Sequence, residues 1–263
     1  MTTKERAPLA SVALCLCGAA LVGALLLAVA QKPAPRPWLE SFDVRPANLA
    51  TVGRSPYFDL EPGYQLTLEG TEDGKLVRLV ITVLGETKVV GGIETRVVEE
   101  RETQNGAIVE VSRNYLAIER GTNNLYYFGE DVDIFKGGGV TGHEGAWLHA
   151  AGGARFGMLL PGTPVVGLRY YQEQAPRVAM DRAEVISVSE TLVVPAGRFE
   201  RCLRTEETTP LEPKAREYKV YAQGVGIVKD GSLELVSWRT RPARTPALPQ
   251  SVARASWPAN MGE

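Results

Sequence analysis

Alternation of apolar and polar residues with a period of two is the feature that most constrains the fold of this chain. In the stretch KLVRLVITVL, Val77, Leu79, Ile81 and Val83 occupy alternate positions. The stretches GAIVEVSRNYLAIE and RFERCLRTEE alternate in a similar way, and residues that favour strands dominate them. A period of two puts alternate side chains on opposite faces of a strand, whereas an amphipathic helix needs a period of 3.6. The pattern therefore predicts a domain built mainly of β-strands.

Short turn sequences separate these runs. They include Gly91-Gly92, Asn105-Gly106 and Asp230-Gly231, which favour the positive φ angles of tight hairpins. Strands joined by such short turns are antiparallel neighbours, and about ten of them cannot form a flat sheet. We therefore predict an all-β fold, either a strongly curved antiparallel meander sheet or an incomplete barrel. An N-terminal hydrophobic helix and one short helix in the middle loop, near residues 144–151, complete the predicted architecture.

The first thirty residues have the pattern of a signal peptide or a membrane anchor. Lys4 and Arg6 precede an uncharged apolar run over residues 9–30, which is long enough to cross a bilayer core of about 30 Å as a helix. The run ends in Ala28-Val29-Ala30, a pattern that signal peptidase cleaves. The chain is then either anchored in the membrane through residues 9–30, or secreted or periplasmic after cleavage at Ala30. Both alternatives place the remainder outside the cytoplasm.

The rest of the chain divides by composition. Residues 31–54 begin with a proline-rich stretch and predict a spacer, residues 55–240 predict the β-rich extracytoplasmic domain, and residues 241–263 predict a disordered tail. Cys202 is the single cysteine of the exported part, so the domain has no internal disulfide, and we expect this thiol to be buried. A net charge of −2 argues against a nucleic-acid partner.

The stretch YYFGEDVDIFKGGGVTGHEGAW concentrates groups that could bind a cation. Its candidate metal ligands are Asp131, Asp133, His143 and Glu144, which would suit Ca²⁺ or Zn²⁺. The pair His143-Glu144 lacks the second histidine four residues on that a zinc protease needs, and no catalytic residue is predicted. The alternative is a structural role, in which Glu130 and Asp131 cap a turn, while His143 and Glu144 begin a short helix. The cofactor stays unknown.

Aromatic side chains are frequent in the middle third of the chain. On the concave face of a curved sheet they would form a pocket for a small apolar ligand, for which the candidate residues are Tyr127, Phe128, Trp147 and Tyr170. The alternative is that these side chains fill the core themselves.

Three stretches carry a resemblance to a known group of proteins. They are SPYFDLEPGYQLTLEG, FGEDVDIFKGGGVTGHEGAW and VPAGRFERCLRTEETTPLEPKAREYKVYAQGVGIVKDG. Together they resemble a family of uncharacterised bacterial exported proteins with β-rich domains, in which P-A-G-x-F links two strands and Y-A-x-G-V-G-x-V-K opens the final hairpin. The resemblance implies the fold class and no activity. More distantly, the curved sheet is similar to that of envelope lipoprotein carriers.

These observations give three hypotheses about function. The first is a non-catalytic protein of the bacterial envelope that binds a small apolar ligand or another envelope protein. The second is a metal-binding module or metal-dependent enzyme that uses the acidic and histidine residues of the loop at 130–144. The third is a structural element of a cell-surface assembly.

Overall fold

The computed structural model describes residues 35–239. Over this range the chain is mainly β and forms a curved antiparallel sheet that nearly closes on itself, which confirms the main part of the predicted fold class. The predicted N-terminal helix and the predicted tail at 241–263 lie outside the described residues. Among the residues described, no helix is long and apolar enough to span a membrane.

Eighteen strands, several of only two or three residues, make up the ordered framework of residues 35–239. A 3₁₀ turn at Pro46–Asn48 precedes β1 (Leu49–Ala50), β2 (Arg54–Ser55) and β3 (Phe58–Asp59). The long strands that follow are β4 (Gln65–Glu72), β5 (Lys75–Val90), β6 (Ile93–Gln104), β7 (Ala107–Glu119) and β8 (Leu125–Lys136). Short strands occupy the middle: β9 (Gly139–Gly142), β10 (Trp147–Leu148), β11 (Arg155–Leu160), β12 (Arg169–Tyr171) and β13 (Glu173–Gln174). The last group is β14 (Arg182–Val194), β15 (Gly197–Thr208), β16 (Glu217–Ala222), β17 (Gly226–Asp230) and β18 (Leu233–Arg239).

The main sheet consists of two meanders joined side by side. Its order is β12-β14-β15-β16-β17-β18-β4-β5-β6-β7-β8-β11-β13, and every pairing along this path is antiparallel. The junction is the pairing of β18 with β4, which brings the end of the domain against its beginning. Strands β1, β9 and β10 pair at the margins of β7 and β8.

The two end strands of this order, β12 and β13, are separated in sequence by Gln172 alone. The sheet therefore closes through the chain itself, at a seam formed by residues 169–174. Gly157 of β11 lies directly against this seam, because a Cβ atom there would be 2.3 Å from the Gln172 carbonyl oxygen and 2.5 Å from that of Tyr171. The absence of a side chain at Gly157 thus permits the close approach on which closure depends.

Apolar side chains of alternate positions fill the core, as the period of two predicts. Val77, Leu79, Ile81 and Val83 are all buried along β5, and they pack in one large cluster with residues of the other strands. The thiol of Cys202 is buried and free, which confirms that expectation. Burial of branched apolar side chains, at about 1.5–3 kcal/mol each, is the main favourable contribution to folding here.

The segment before the first long strand packs against the sheet. The Leu39 N–H donates to the Arg169 carbonyl at 2.9 Å, and β1 pairs with the end of β7. The hairpin of β2 and β3 brings Tyr57 and Phe58 into the core. Leu39 and Leu49–Ala50, within the predicted spacer, thus supply backbone partners to the sheet.

The predicted short helix at residues 144–151 is wrong, since this segment forms turns and strand β10 instead. Gly145 has a φ of 93° and Ala150 a φ of 68°, and neither angle is compatible with a right-handed helix. Strand β10 pairs with β8, where Gly129 leaves room for it: a Cβ atom at Gly129 would be 2.7 Å from the Trp147 carbonyl oxygen.

Candidate functional site

The inside of the curved sheet contains a cavity of about 230 Å³, which we call the central cavity. Strands β6, β7 and β8 line one side of it, and β15 and β16 line the other. Four strands separate these two groups in the sheet order. The two groups nevertheless face each other, because the sheet curls. The apolar lining residues are Phe58, Val98, Leu116, Tyr127, Trp147, Leu159 and Ala179, and the polar ones are Glu100, Asn114, Glu130, Gln172, Glu173, Asp181, Glu207 and Lys219.

Two aromatic side chains form one wall of the central cavity. The rings of Tyr127 and Trp147 meet edge to face, with centroids 5.2 Å apart. The Tyr127 hydroxyl donates to Asn114 Oδ1 at 2.5 Å, which fixes the phenol against β7. The Trp147 side chain is buried, yet its Nε1 has no hydrogen-bond partner among the described residues. The indole ring therefore borders the cavity, while its N–H is enclosed by the protein.

A bulge in β8 turns both Tyr127 and Glu130 toward the central cavity. Asn114 of β7 pairs with Glu130 of β8, and Leu116 of β7 pairs with Tyr127 of β8. Between these two pairs, β8 has one residue more than β7. The extra residue shifts the alternation of side chains along β8 by one position. Glu130 and Trp147 are also direct partners across β8 and β10. The bulge therefore brings an aromatic wall and a carboxyl group to the same place.

The carboxyl groups of Glu130 and Glu100 line the cavity close to each other. Burial raises the pKa of Glu130 to about 8, with a further rise from Glu100, while hydrogen bonds with Tyr127 and Ser112 act in the opposite direction. Burial also raises the pKa of Glu100 to about 7, and the opposing effect of Lys219 does not cancel it. Both carboxyl groups are half-buried. They therefore keep their protons at pH values well above the usual pKa range of a glutamate.

Lys219 supplies positive charge at the opposite side of the cavity. Its Nζ lies 3.3 Å from Glu207 Oε2 and 3.6 Å from Asp230 Oδ2, and about a quarter of the side chain (24%) is exposed. Burial alone would lower the pKa of Lys219, but Asp230 and Glu207 outweigh it and hold the pKa well above the ordinary value. The lysine is therefore charged and already paired with two carboxylates.

Gln172, the residue at the seam, has a buried acceptor without a partner. Its Nε2 donates to Glu207 Oε1 at 3.2 Å, and both residues border the cavity. The residue is only 4% exposed, and its Oε1 has no hydrogen-bond partner among residues 35–239. The neighbouring Glu173 accepts from the Asp181 N–H at 2.6 Å. Burial, with the added charge of Asp181, raises the pKa of Glu173 well above its ordinary value.

A second cavity of about 230 Å³ adjoins the first, and we call it the acidic cavity. Glu100 and Lys219 border both cavities. The other residues around the acidic cavity are Glu72, Leu79, Glu102, Glu110, Ser112, Glu217, Asp230 and Leu233. An open groove of about 800 Å³ along β14, β15 and β16 also borders Lys219 and carries Asp181 and Glu217, both exposed. The interior therefore opens to solvent near these two acids.

The structure divides the four predicted ligand-binding residues into two pairs. Tyr127 and Trp147 line the central cavity together. Phe128 points away from it and stacks on Phe156, with ring centroids 4.8 Å apart. Tyr170 is fully buried in the core beside the seam and does not line the cavity. For this second pair the structure matches the alternative in which aromatic side chains fill the core.

The structure does not bring the four predicted metal ligands together. Asp131 accepts hydrogen bonds from Lys88 Nζ at 2.9 Å and from the Tyr115 hydroxyl. Asp133 Oδ1 lies 3.1 Å from His143 Nδ1, while the Glu144 carboxylate lies against the backbone of Gly142. Within residues 35–239, no group of three or more histidine, cysteine, aspartate or glutamate side chains is arranged to hold a metal ion.

Glu100 and Gln172 are residues of the candidate site that sequence reasoning missed. Glu130 was placed in the acidic loop at 130–144, with a turn cap as the structural alternative, but it lies in the interior of a strand. Strict alternation from Tyr127 would have put Glu130 on the opposite face, and the bulge reverses that result. The pair Glu99-Glu100, which directly follows the apolar pair Val97-Val98 within one strand, is the signal that could have pointed to a polar interior.

The functional argument depends on the geometry of the cavities. Comparisons with protein-family models, with curated proteins and with solved structures found no match to this chain.

Proposed function

We propose that this protein is a non-catalytic binding protein of the bacterial envelope, and that the central cavity receives a small ligand. The observation that carries the proposal is that one cavity is lined both by the rings of Tyr127 and Trp147 and by the carboxyl groups of Glu100 and Glu130. An apolar wall with a few polar groups is typical of small-molecule sites.

The lining supports a ligand with one apolar part and one polar part. Tyr127, Trp147 and Leu116 offer an apolar wall of the kind expected for an apolar ligand. Carboxyl groups lie both on this side, at Glu100 and Glu130, and on the opposite side, at Glu207. A wholly apolar ligand would leave those carboxyl groups buried without partners, which is unfavourable. The cavity is at the small end of ligand pockets, so the ligand has few atoms.

Filling the cavity should abolish binding. Ala179 lines the central cavity and is half-buried, so Ala179→Leu would place a larger side chain in it. We expect the ligand that native mass spectrometry finds with the wild-type chain to be lost, and ligand-induced thermal stabilisation to fall by most of its value. Ala107→Leu, at an exposed position in β7, is the matched control and should bind as the wild type does. Equal binding by Ala179→Leu and the control would contradict the proposal.

The location of the protein outside the cytoplasm is a separate part of the proposal. It depends on the apolar run at residues 9–30 and the pattern Ala28-Val29-Ala30. Cell fractionation should find the protein in the membrane or in the extracytoplasmic fraction, and N-terminal sequencing should begin at Met1 for an anchor or at Gln31 for a cleaved signal. Recovery of the chain from the cytoplasm with Met1 intact would contradict this part.

A further inference from the structure

The hairpin formed by β14 and β15 exposes apolar side chains at its tip. Val193, near the end of β14, is 66% exposed, and Trp238 of the neighbouring β18 is 41% exposed. The turn between the two strands, residues 194–197, reads VPAG and has no polar side chain. We call residues 192–199 together with Trp238 the hairpin tip. Exposed apolar side chains that are grouped in this way mark sites of contact with a partner or a membrane.

Contacts with β18 hold the hairpin tip in place. The Ala196 N–H donates to the Leu235 carbonyl at 2.9 Å, which fixes the turn against that strand. The rings of Phe199 and Trp238 meet edge to face, with centroids 5.8 Å apart. The tip therefore presents its apolar side chains from a backbone that is already ordered, so little conformational entropy is lost when they bind.

Three other hairpins of the sheet end in polar turns instead. The turns of β4–β5, β6–β7 and β17–β18 contain Asp73-Gly74, Asn105-Gly106 and Asp230-Gly231. Such residues suit turns that lie at the surface in contact with water. The apolar turn of β14–β15 in the same sheet therefore indicates a less polar surrounding at this one tip.

Arginine side chains accompany the apolar residues of the hairpin tip. Arg198 is the direct partner of Val193 across the hairpin, so these two side chains lie on one face. Arg201 follows in β15 and Arg239 ends β18, and all three arginines are exposed. Glu200 compensates one of these charges, since its Oε1 lies 3.0 Å from Arg198 Nη2. The surface around the tip thus has an excess of positive charge, although the whole chain has a net charge of −2.

Grouped apolar side chains with arginines beside them match the chemistry of an anionic lipid bilayer. Aromatic and aliphatic side chains enter the boundary between headgroups and acyl chains, and arginines are attracted to the negative headgroups. Each arginine near an anionic membrane surface strengthens binding by about fivefold. A neutral apolar partner would leave the excess positive charge uncompensated, and a soluble polyanion would leave the apolar side chains in water.

In the proposed location a membrane is always within reach of the folded domain. The chain from Ala30 to Leu39, which pairs with Tyr170, can span at most about 32 Å. A domain of about 200 residues has a radius of gyration of about 17 Å. If a bilayer holds residues 9–30, rotation about so short a connection brings any surface of the domain to the lipid headgroups.

We propose that the hairpin tip docks on the surface of an anionic lipid bilayer. Val193 and the turn at 194–197 enter the headgroup region, and Trp238 lies at the boundary with the acyl chains. Arg198 and Arg201 contact the phosphate groups. This contact fixes which face of the domain is turned toward the membrane. The inference goes beyond the proposed function, because it does not depend on a ligand in the central cavity.

Amide hydrogen exchange of the full chain on lipid nanodiscs tests the proposal. The chain is used as cells produce it, whether anchored or cleaved, and discs of phosphatidylcholine are compared with discs that also contain phosphatidylglycerol. We expect exchange at residues 193–199 to be about tenfold slower or more on the anionic discs, and added salt to reduce this protection. Exchange at the polar turn of residues 72–75 should be the same on both kinds of disc.

Substitutions at two exposed positions locate the contact. Val193→Ser removes the apolar side chain and Arg201→Gln removes one charge, and each should reduce the lipid-dependent protection by about fivefold. Val89→Ser is the matched control, because Val89 in β5 is 67% exposed, and it should leave the protection unchanged. Thermal unfolding shows whether each variant keeps the fold, and either tip variant alone suffices if the other does not.

Each of the remaining outcomes would overturn the docking proposal. Equal exchange at the tip on both kinds of disc would exclude a contact that depends on anionic lipid. Protection that rises with the number of copies per disc, and not with lipid charge, would assign the tip to a second copy of this chain. A loss of protection in Val89→Ser as large as in Val193→Ser would place the contact elsewhere. The central cavity is tested separately, by Ala179→Leu.

Discussion

Raising the pH from about 5 to about 8 should lower the free energy of unfolding of this protein, and Glu130→Gln should remove part of that loss. The folded state keeps a proton on Glu130 up to a pKa of about 8, whereas the unfolded chain ionises this side chain from about 4.5. Between these two values the folded state binds more protons, so stability falls as the pH rises. Below the lower of these two pKa values, Glu130 is protonated in both states, so its ionisation no longer changes the stability.

Other groups in the cavities act in the same direction. Burial raises the pKa of Glu100 to about 7 and of Glu173 well above its ordinary value, so their ionisation also opposes folding as the pH rises. The groups that face Glu130 are Glu100, Glu110, Tyr127 and Ser112. Lys219 stays charged across this range because its pKa is raised, so it adds no pH dependence there.

The measurement is a series of chemical denaturation curves between pH 5 and pH 8. Because Glu130 is half-buried beside water, we expect Glu130→Gln to be more stable than the wild type by about 2 kcal/mol at pH 8 and nearly equal to it at pH 5. Glu94→Gln, in which an exposed glutamate is replaced, should have the same stability as the wild type at both pH 5 and pH 8. A wild-type stability that rises over this range would contradict the assignment of protonated carboxyl groups to the interior.

A single methyl group at Gly157 should destabilise the fold by about 3 kcal/mol. The Cβ atom of Gly157→Ala would be 2.3 Å from the Gln172 carbonyl oxygen, well inside the contact distance of real Cβ atoms. That oxygen belongs to the backbone of the seam, so it cannot rotate away as the end of a side chain could. Either β11 or the seam must move, and each movement breaks the pairing that closes the sheet.

Gly85→Ala is the matched control for this substitution. Gly85 lies in strand β5, and a Cβ atom there would have nothing within 4 Å. Its effect should stay within about 0.5 kcal/mol, because an exposed alanine fits a strand at least as well as glycine does. Denaturation gives the stability difference, and amide hydrogen exchange at residues 171–174 shows whether the seam opens locally. Equal stability of the two variants would show that closure does not require Gly157.

The period of two was sufficient to predict the fold class and much of the core, as β5 shows. Alternation there places Val77, Leu79, Ile81 and Val83 on the buried face without exception. Alternation is a local property of the backbone, so a sequence displays it directly wherever strands are regular. The predicted helix at 144–151 failed because the backbone angles of Gly145 and Ala150 depend on pairing with a distant strand.

Only part of the candidate site was predictable from the sequence. Tyr127 and Trp147 were identified from their composition alone, and both line the central cavity. Glu130 was not, because the bulge of β8 reverses the face on which it lies. The contribution of Gln172 depends on how the ends of the sheet meet, and no local pattern encodes that meeting. The metal hypothesis drew on sequence proximity, whereas Asp131 is held by the distant Lys88.

Closure at Gln172 also bears on how copies of this protein behave at high concentration. Exposed strand edges recruit strands from other molecules, and this is a common origin of aggregates. Here the two terminal strands of the ladder are consecutive in the chain and only three and two residues long, so each offers a second copy little backbone to extend. Among the described strands, the edge of β14 beyond Val185 pairs only with β15, so self-association of the native protein should begin at that longer edge.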